Sequence, residues 1–263
     1  MSVHAASRRR LAPWIVVLAM TACDAARGES PRPLATADRT SEAPAIRHRT
    51  VAIPETGVDA EVFEFDLRHF RLIAATPAPG IDRATVDTLR REHDAWLMVN
   101  GTFFDERGRA LGLLQGTGAP LHPLRRADWG VFEVSARRGA RLIHTRDYVA
   151  REDIEFAVQC GPRVVIDGRV PSLKPQVAQR TALCVRRGPT DLVVLVTRGR
   201  VDATPLAKWM AADPVDGGLG CRDALLLDGG PSTQLSARMP GVELDLAGGW
   251  PVPNGVGVVP RRP

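Results

Sequence analysis

Residues Ala224 to Leu227 form an unbroken apolar run, followed at once by Asp228, Gly229, Gly230 and Pro231. The run is too short for a helix and has no alternating polar residue to mark a solvent face. It therefore predicts a short strand buried on both faces. Glycines after such a strand let backbone N–H groups approach an anion without side chains in the way, and the hydroxyls of Ser232 and Thr233 add donors. A carboxylate beside an anion is repelled, so Asp228 is expected to face a cation, a developing positive charge or a proton to be moved. Read alone, the same residues also make an ordinary turn with an Asp cap.

Most other elements read as strands. Glu61 to Leu67 alternates, with Phe63, Phe65 and Leu67 on one face, and Arg71 to Ala75, Trp96 to Val99, Gly130 to Val134 and Arg141 to His144 look similar. Arg163 to Ile166 runs into an Asp167/Gly168 turn, and Thr181 to Val185 and Leu192 to Thr197 flank a hairpin loop, RRGPTD. Helices are few: Thr85 to His93, and Thr204 to Ala212, where Thr204 suits the cap and Pro205 the first helical position. Leu206, Trp209 and Met210 share a face, as core residues would. The expected fold is a single strand-rich α+β domain, a mixed β-sheet with a few packed helices.

Two further segments carry chemistry. VNGTFF, Val99 to Phe104, ends a strand in Asn100, whose amide suits a sugar hydroxyl or a phosphate oxygen, although Asn-Gly is also a common turn. QRTAL places Arg180 just before a strand, either as an edge charge or as a fork that grips phosphate. The six histidines are scattered and no HExxH occurs, which argues against a zinc hydrolase. GGPST lacks the GxSxG elbow of a serine hydrolase. LGLLQGTG, Leu111 to Gly118, lacks nucleotide-loop spacing and reads as a loop at the site's rim. Asp105 and Glu106, near the Asn100 turn, are either solvated loop acids or a second carboxylate.

The N-terminus has the three parts of a secretory signal: Arg8 to Arg10, an apolar run from Leu11 to Met20, and small residues before Cys23. The run is too short to span a bilayer. MTAC resembles the bacterial lipobox, which implies a membrane anchor through a lipid on Cys23; ordinary cleavage nearby is the alternative. Residues 1–22 are thus read as signal, 23–45 as a disordered tether poor in large apolar residues, and 46–263 as one domain. Taking Arg8, Arg9 and Arg10 from the 35 basic residues leaves 32 against 30 acidic, a balance that gives no reason to expect nucleic acid. Cys160, Cys184 and Cys221 permit at most one disulfide, and spacing does not choose it.

The joint order of NGTFF, QCGPRVVIDGRV (159–170), QRTAL, LVVLVTRGRV (192–201), CRDALLLDGGPSTQL and VPNGVGVV (252–259) resembles the phosphodiester glycosidase family, that of the lysosomal uncovering enzyme and many bacterial relatives. The resemblance covers roughly residues 58–260. It implies an exported hydrolase that cleaves a sugar from a sugar-1-phosphodiester at the anomeric carbon, in envelope or exopolysaccharide metabolism, with a carbohydrate phosphodiester as substrate. By matching motifs it implies Asp228 and Arg180 as catalytic residues, and Asn100, Gly229, Gly230, Ser232, Thr233 and Asn254 as substrate-binding residues. No cofactor is required, and a divalent cation near Asp228 is left open. Thr102 and Phe103 stand where relatives often have Gly and Tyr, which blurs the sugar preference. An ionised Asp228 would stabilise or trap the cationic sugar, or activate water. The rival reading is a non-catalytic glycan-phosphate binding lipoprotein on the same scaffold.

Overall fold

The computed structural model describes residues 45–261. The expected signal, Cys23 and all but the last residue of the tether lie outside the described residues. Apolar residues recur with period two through most of this span. The described residues form eighteen strands and two α-helices, α1 (Val86–Glu92) and α2 (Ala203–Ala211). Every strand pairing is antiparallel. The expected α+β domain with a mixed sheet is therefore corrected to a fold closer to all-β. Parallel neighbours need long crossovers, usually helical. The two helices here have only seven and nine residues, and they cover outer sheet faces instead of linking parallel strands.

Three sheets carry the architecture. The first, six-stranded, runs in the order Arg47–Ile53, Val58–Asp66, Asp191–Thr197, Thr181–Val185, Asp223–Leu226, Arg163–Val165. The second runs Val242–Leu246, Leu235–Met239, Leu97–Asn100, Gly255–Pro260, Phe70–Ala75. The third runs Pro120–His122, Leu114–Gln115, Ile154–Cys160, Gly130–Ser135, Gly139–His144. A small pair, Val177–Ala178 with Val201–Asp202, stands apart from them.

Phe63 and Phe65 from the first sheet, Leu97 and Val99 from the second, and Phe132 and Phe156 from the third share one core. On the first sheet's other face, Val62, Val193, Leu195 and Leu226 meet Leu206, Trp209 and Met210 of α2. The 224–227 run is thus split between two cores: Leu225 and Leu227 face one, Ala224 and Leu226 the other. This double burial is why no polar residue interrupts it, and each large side chain so buried contributes about 1.5–3 kcal/mol.

Both expected helices form, with one boundary moved. Thr85 caps α1, its hydroxyl accepting the Thr88 N–H at 3.2 Å. The cap of α2 is Asp202, not Thr204, with Oδ1 accepting the Thr204 N–H at 2.9 Å. Pro205 then sits third in the helix, where its missing N–H costs nothing because first-turn donors have no intrahelical partner. Cys184 and Cys221 form the disulfide, bridging 37 residues beneath α2, and Cys160 is free and buried. A closed loop of that length is worth about 4 kcal/mol in the chain-entropy account. No helix among the described residues is long and apolar enough to cross a membrane.

Candidate active site

The site sits where the first two sheets meet, and Asn100 makes the join. Asn100 ends a strand of the second sheet and is fully buried. Its Nδ2 donates to the Asp228 carbonyl at 2.6 Å. Its Oδ1 accepts the Thr181 hydroxyl at 2.6 Å and the Gln234 N–H at 3.2 Å. The next residue closes a second contact, the Asp228 N–H donating to the Gly101 carbonyl at 3.0 Å. Both backbone polar groups of Asp228 are therefore held by the NGT turn.

That turn is fixed in its own place by Asn254. The Asn254 Oδ1 accepts the Thr102 N–H at 2.9 Å, and its Nδ2 donates to the Thr102 hydroxyl at 2.9 Å. Its carbonyl accepts the Gly101 N–H at 3.1 Å. A Cβ on residue 101 would lie 2.0 Å from Asn254 Oδ1, so only glycine fits between the two asparagines. Asn100 and Asn254, expected to touch substrate, are enclosed below Asp228 and line neither lobe of the cleft above it.

The carboxylate itself reaches open space. Burial pushes the Asp228 acid up from the ordinary aspartate range, opposed by hydrogen bonds from the Ser232 hydroxyl and the Gly229 N–H, the latter at 2.9 Å from Oδ1. The turn's amides are spent on protein acceptors: Gly230 N–H donates to the Gln179 carbonyl at 2.9 Å, and Thr233 N–H to the Gly230 carbonyl at 3.0 Å. Gly229 thus serves a close approach, since a Cβ there would stand 2.9 Å from the Gln179 carbonyl oxygen, and Gly230 a left-handed φ of 60°. Ser232 also accepts the Trp250 indole N–H at 3.0 Å, and Thr233 Oγ1 is buried without a partner among the described residues.

A two-lobed cleft opens over this carboxylate. The larger lobe, ≈ 1140 Å³, contains Trp129, Lys174, Gln176, Arg180, Arg200 and Gly230 in its wall. The smaller, ≈ 390 Å³, contains Arg83, Phe104, Asp105, Glu106, Ser232 and Trp250. Phe103, Asp228 and Gly229 border both, so the carboxylate stands at the waist. Phe103 packs edge-on against Trp129, ring centres 5.0 Å apart, giving the larger lobe an aromatic side. Trp250, 47% exposed, gives one to the smaller. Such amphipathic rings are suited to the apolar faces of sugars.

Arg180 is brought to the same cleft. Its guanidinium leans on Gln176, through the backbone carbonyl and, at 3.4 Å, the side-chain oxygen. Its Nε is buried and unpartnered among the described residues. Burial draws its pKa down from the usual arginine value, partly countered by the charge of Asp202. Of the eight expected site residues, then, Asp228, Arg180, Gly229, Gly230 and Ser232 face the cleft. Asn100, Asn254 and Thr233 are packed behind it.

The remaining expectations divide. Asp105 and Glu106 both reach the smaller lobe. Asp105 is engaged by Arg109, whose backbone N–H and guanidinium hold its carboxyl below the usual range, and Glu106 has no ion pair among the described residues. LGLLQGTG does not border the cleft; Leu114–Gln115 is instead a short strand of the third sheet. Lys174, Gln176 and Arg200 are wall residues that sequence reasoning missed, because they lie in irregular chain with no periodicity. The Pro-rich stretch around Lys174, one of only two lysines, was the available signal. Among the described residues no group of three or more His, Cys, Asp and Glu is arranged to hold a metal.

Comparison with known proteins accords with this geometry. No curated protein matches the chain by sequence. Among solved structures, the chain is similar to the catalytic domain of zebrafish N-acetylglucosamine-1-phosphodiester alpha-N-acetylglucosaminidase, auto-inhibited by its pro-peptide, with a TM-score of 0.63 and 15% identity over 85% of each chain. It is also similar to a hypothetical protein from Synechocystis, with a TM-score of 0.56 and 15% identity over 82% of this chain and 62% of that one. At such identity these likenesses speak for the fold. A sequence profile described as phosphodiester glycosidase matches residues 93–259, well over half of the chain and including every expected site residue. The chain belongs to the phosphodiester glycosidase family.

Proposed function

We propose that this protein is an exported glycosidase that hydrolyses the bond between the anomeric carbon of a sugar and the phosphodiester oxygen attached to it. The observation that carries this reading is the position of Asp228: a burial-perturbed carboxylate at the waist between two lobes, one with an aromatic and acidic wall, the other holding Arg180. A substrate laid across the waist puts its sugar in the smaller lobe and its phosphate beside Arg180. As the anomeric C–O bond breaks, its electron pair leaves with the phosphoryl oxygen and positive charge builds on the ring. The ionised Asp228 faces that charge, and water finally supplies the hydroxyl to the carbon. The leaving group is a phosphate monoester, already stable as an anion. Neutralisation by Arg180 then takes the place of strong general-acid help.

In this reading Asn100 and Asn254 are positioning residues. They hold the Asp228 backbone and the NGT turn, so the carboxylate stays aimed when the sugar arrives. Export, anchoring through Cys23 and a role in envelope or exopolysaccharide metabolism complete the proposal, on the strength of the N-terminal residues alone. Incubation with an α-N-acetylglucosaminyl phosphodiester, followed by assay of free sugar, tests the chemistry. Release that disappears in Asp228→Asn supports it. Tight binding without release, in wild type and variant alike, favours the glycan-phosphate binding protein.

A further inference from the structure

The two lobes differ in size and in charge, and the difference bears on what lies beyond the phosphodiester. The smaller lobe sets Arg83 against Glu106, with Asp105 already paired to Arg109, beside Trp250, a surrounding for a neutral ring. The larger holds three cations, Lys174, Arg180 and Arg200. One phosphodiester carries one negative charge, which Arg180 matches. Lys174 and Arg200 are surplus to it. Neither forms an ion pair among the described residues, and Arg200 only donates to the Val177 carbonyl at 3.0 Å, which steadies its side chain along the wall.

The acids nearby are hydrogen-bonded to other groups and pair with neither Lys174 nor Arg200. Asp128, the one carboxylate besides Asp228 in this lobe, has Oδ1 2.8 Å from the His144 Nε2. Asp202, on the strand beside Val177–Ala178, accepts the backbone N–H groups of Thr204 at 2.9 Å and Gln176 at 2.8 Å. At ≈ 1140 Å³ the lobe also exceeds what a phosphate and a small alcohol would fill, since pockets of about 300–1,000 Å³ suffice for drug-sized ligands.

On the basis of the glycosidase reading above, we propose that the substrate's aglycone carries a second anionic group, received in the larger lobe by Lys174 and Arg200. The substrate class is then a sugar-1-phosphodiester whose alcohol portion is itself phosphorylated or otherwise acidic. Two matched probes test it: N-acetylglucosamine-1-phosphodiesters of ethanol and of glycerol 3-phosphate. The acidic probe is expected to have a kcat/KM about five- to tenfold higher at low ionic strength, with the ratio falling as salt screens the exposed cations. In the double variant Lys174→Ala/Arg200→Ala the ratio should approach one, and a general loss of rate cancels in that ratio.

Equal kcat/KM values in the wild type, or a ratio unchanged in the double variant, would overturn the proposal. Should neither probe be cleaved, the glycosidase reading fails on its own account. The same two probes titrated calorimetrically onto Asp228→Asn protein then decide the inference: tighter binding of the acidic probe sustains it, and equal or absent binding overturns it.

Discussion

The floor beneath Asp228 and the wall around it are built on opposite principles. In the floor, both side-chain polar atoms of Asn100 and of Asn254 have a partner within 3.2 Å, and neither residue is more than 1% exposed. In the wall, Arg180 Nε is buried with no partner among the described residues, as is Thr233 Oγ1 just behind it, and Asp228 is perturbed by its own burial. A satisfied network stiffens a fold, whereas buried unpaired groups cost stability and persist where binding or chemistry requires them. The contrast separates residues that hold the site from residues that act in it.

The sharpest way to break the contrast is Asp228→Asn. Turnover should fall by roughly 10³-fold or more, while the protein becomes more stable at neutral pH. The sign follows from the raised folded-state pKa: the unfolded chain binds fewer protons between the unfolded and folded pKa values, so stability declines as pH rises through that window. Above it the penalty is complete, and Asn removes it. Steady-state kinetics and thermal melts check both halves, and a lowered Tm would place Asp228 with the floor. Asn100→Ala should do the reverse. It strands the Thr181 hydroxyl, the Gln234 N–H and the Asp228 carbonyl, at about 1 kcal/mol each. The Tm should drop by roughly 10 °C, as for about 3 kcal/mol lost from a domain of this size.

Smaller effects sharpen the division. Arg180→Ala should lower kcat/KM by about 10- to 100-fold, the worth of a charged hydrogen bond to phosphate, and reduce affinity for inorganic phosphate, with little change in Tm. A large loss of Tm with phosphate affinity intact would return Arg180 to a purely structural role. The acid limb of the kcat/KM–pH profile should lie above the ordinary aspartate range, because activity is lost as Asp228 takes up its proton. Ser232→Ala should move that limb further up, since the Ser232 hydroxyl stabilises the charged form. A limb that stays in place breaks the link between the two residues. Thr233→Val should change stability least, by about 0.5 kcal/mol or less in either direction, because no side-chain hydrogen bond is lost.

Legibility in the sequence followed the range of the forces involved. The run Ala224 to Leu227 and the alternation around Phe63 and Phe65 were readable because double or single burial is written in adjacent residues. The absence of parallel pairing was not, since a strand's neighbour is chosen by the whole core and not by its own pattern. Asn100 and Asn254 were picked out, but as substrate contacts. Where an amide points depends on partners more than a hundred residues away, and those partners turned out to be protein. The glycines were expected to offer free N–H groups, which Asp228 and the distant Gln179 accept instead. Lys174 and Arg200 were not singled out, because irregular chain carries no periodicity to mark a wall residue.

The Asn100 join between two sheets also divides the molecule into a part that can drift and a part that cannot. Substitutions that retune substrate choice should collect around residues 172–178 and near Trp250, where side chains border the cleft. Residues 97–102 should stay as they are through the same history, for a change there would move the carboxylate before it changed any ligand. A lineage could exchange one phosphorylated glycan for another many times while inheriting one unaltered hinge-pin of asparagine and glycine.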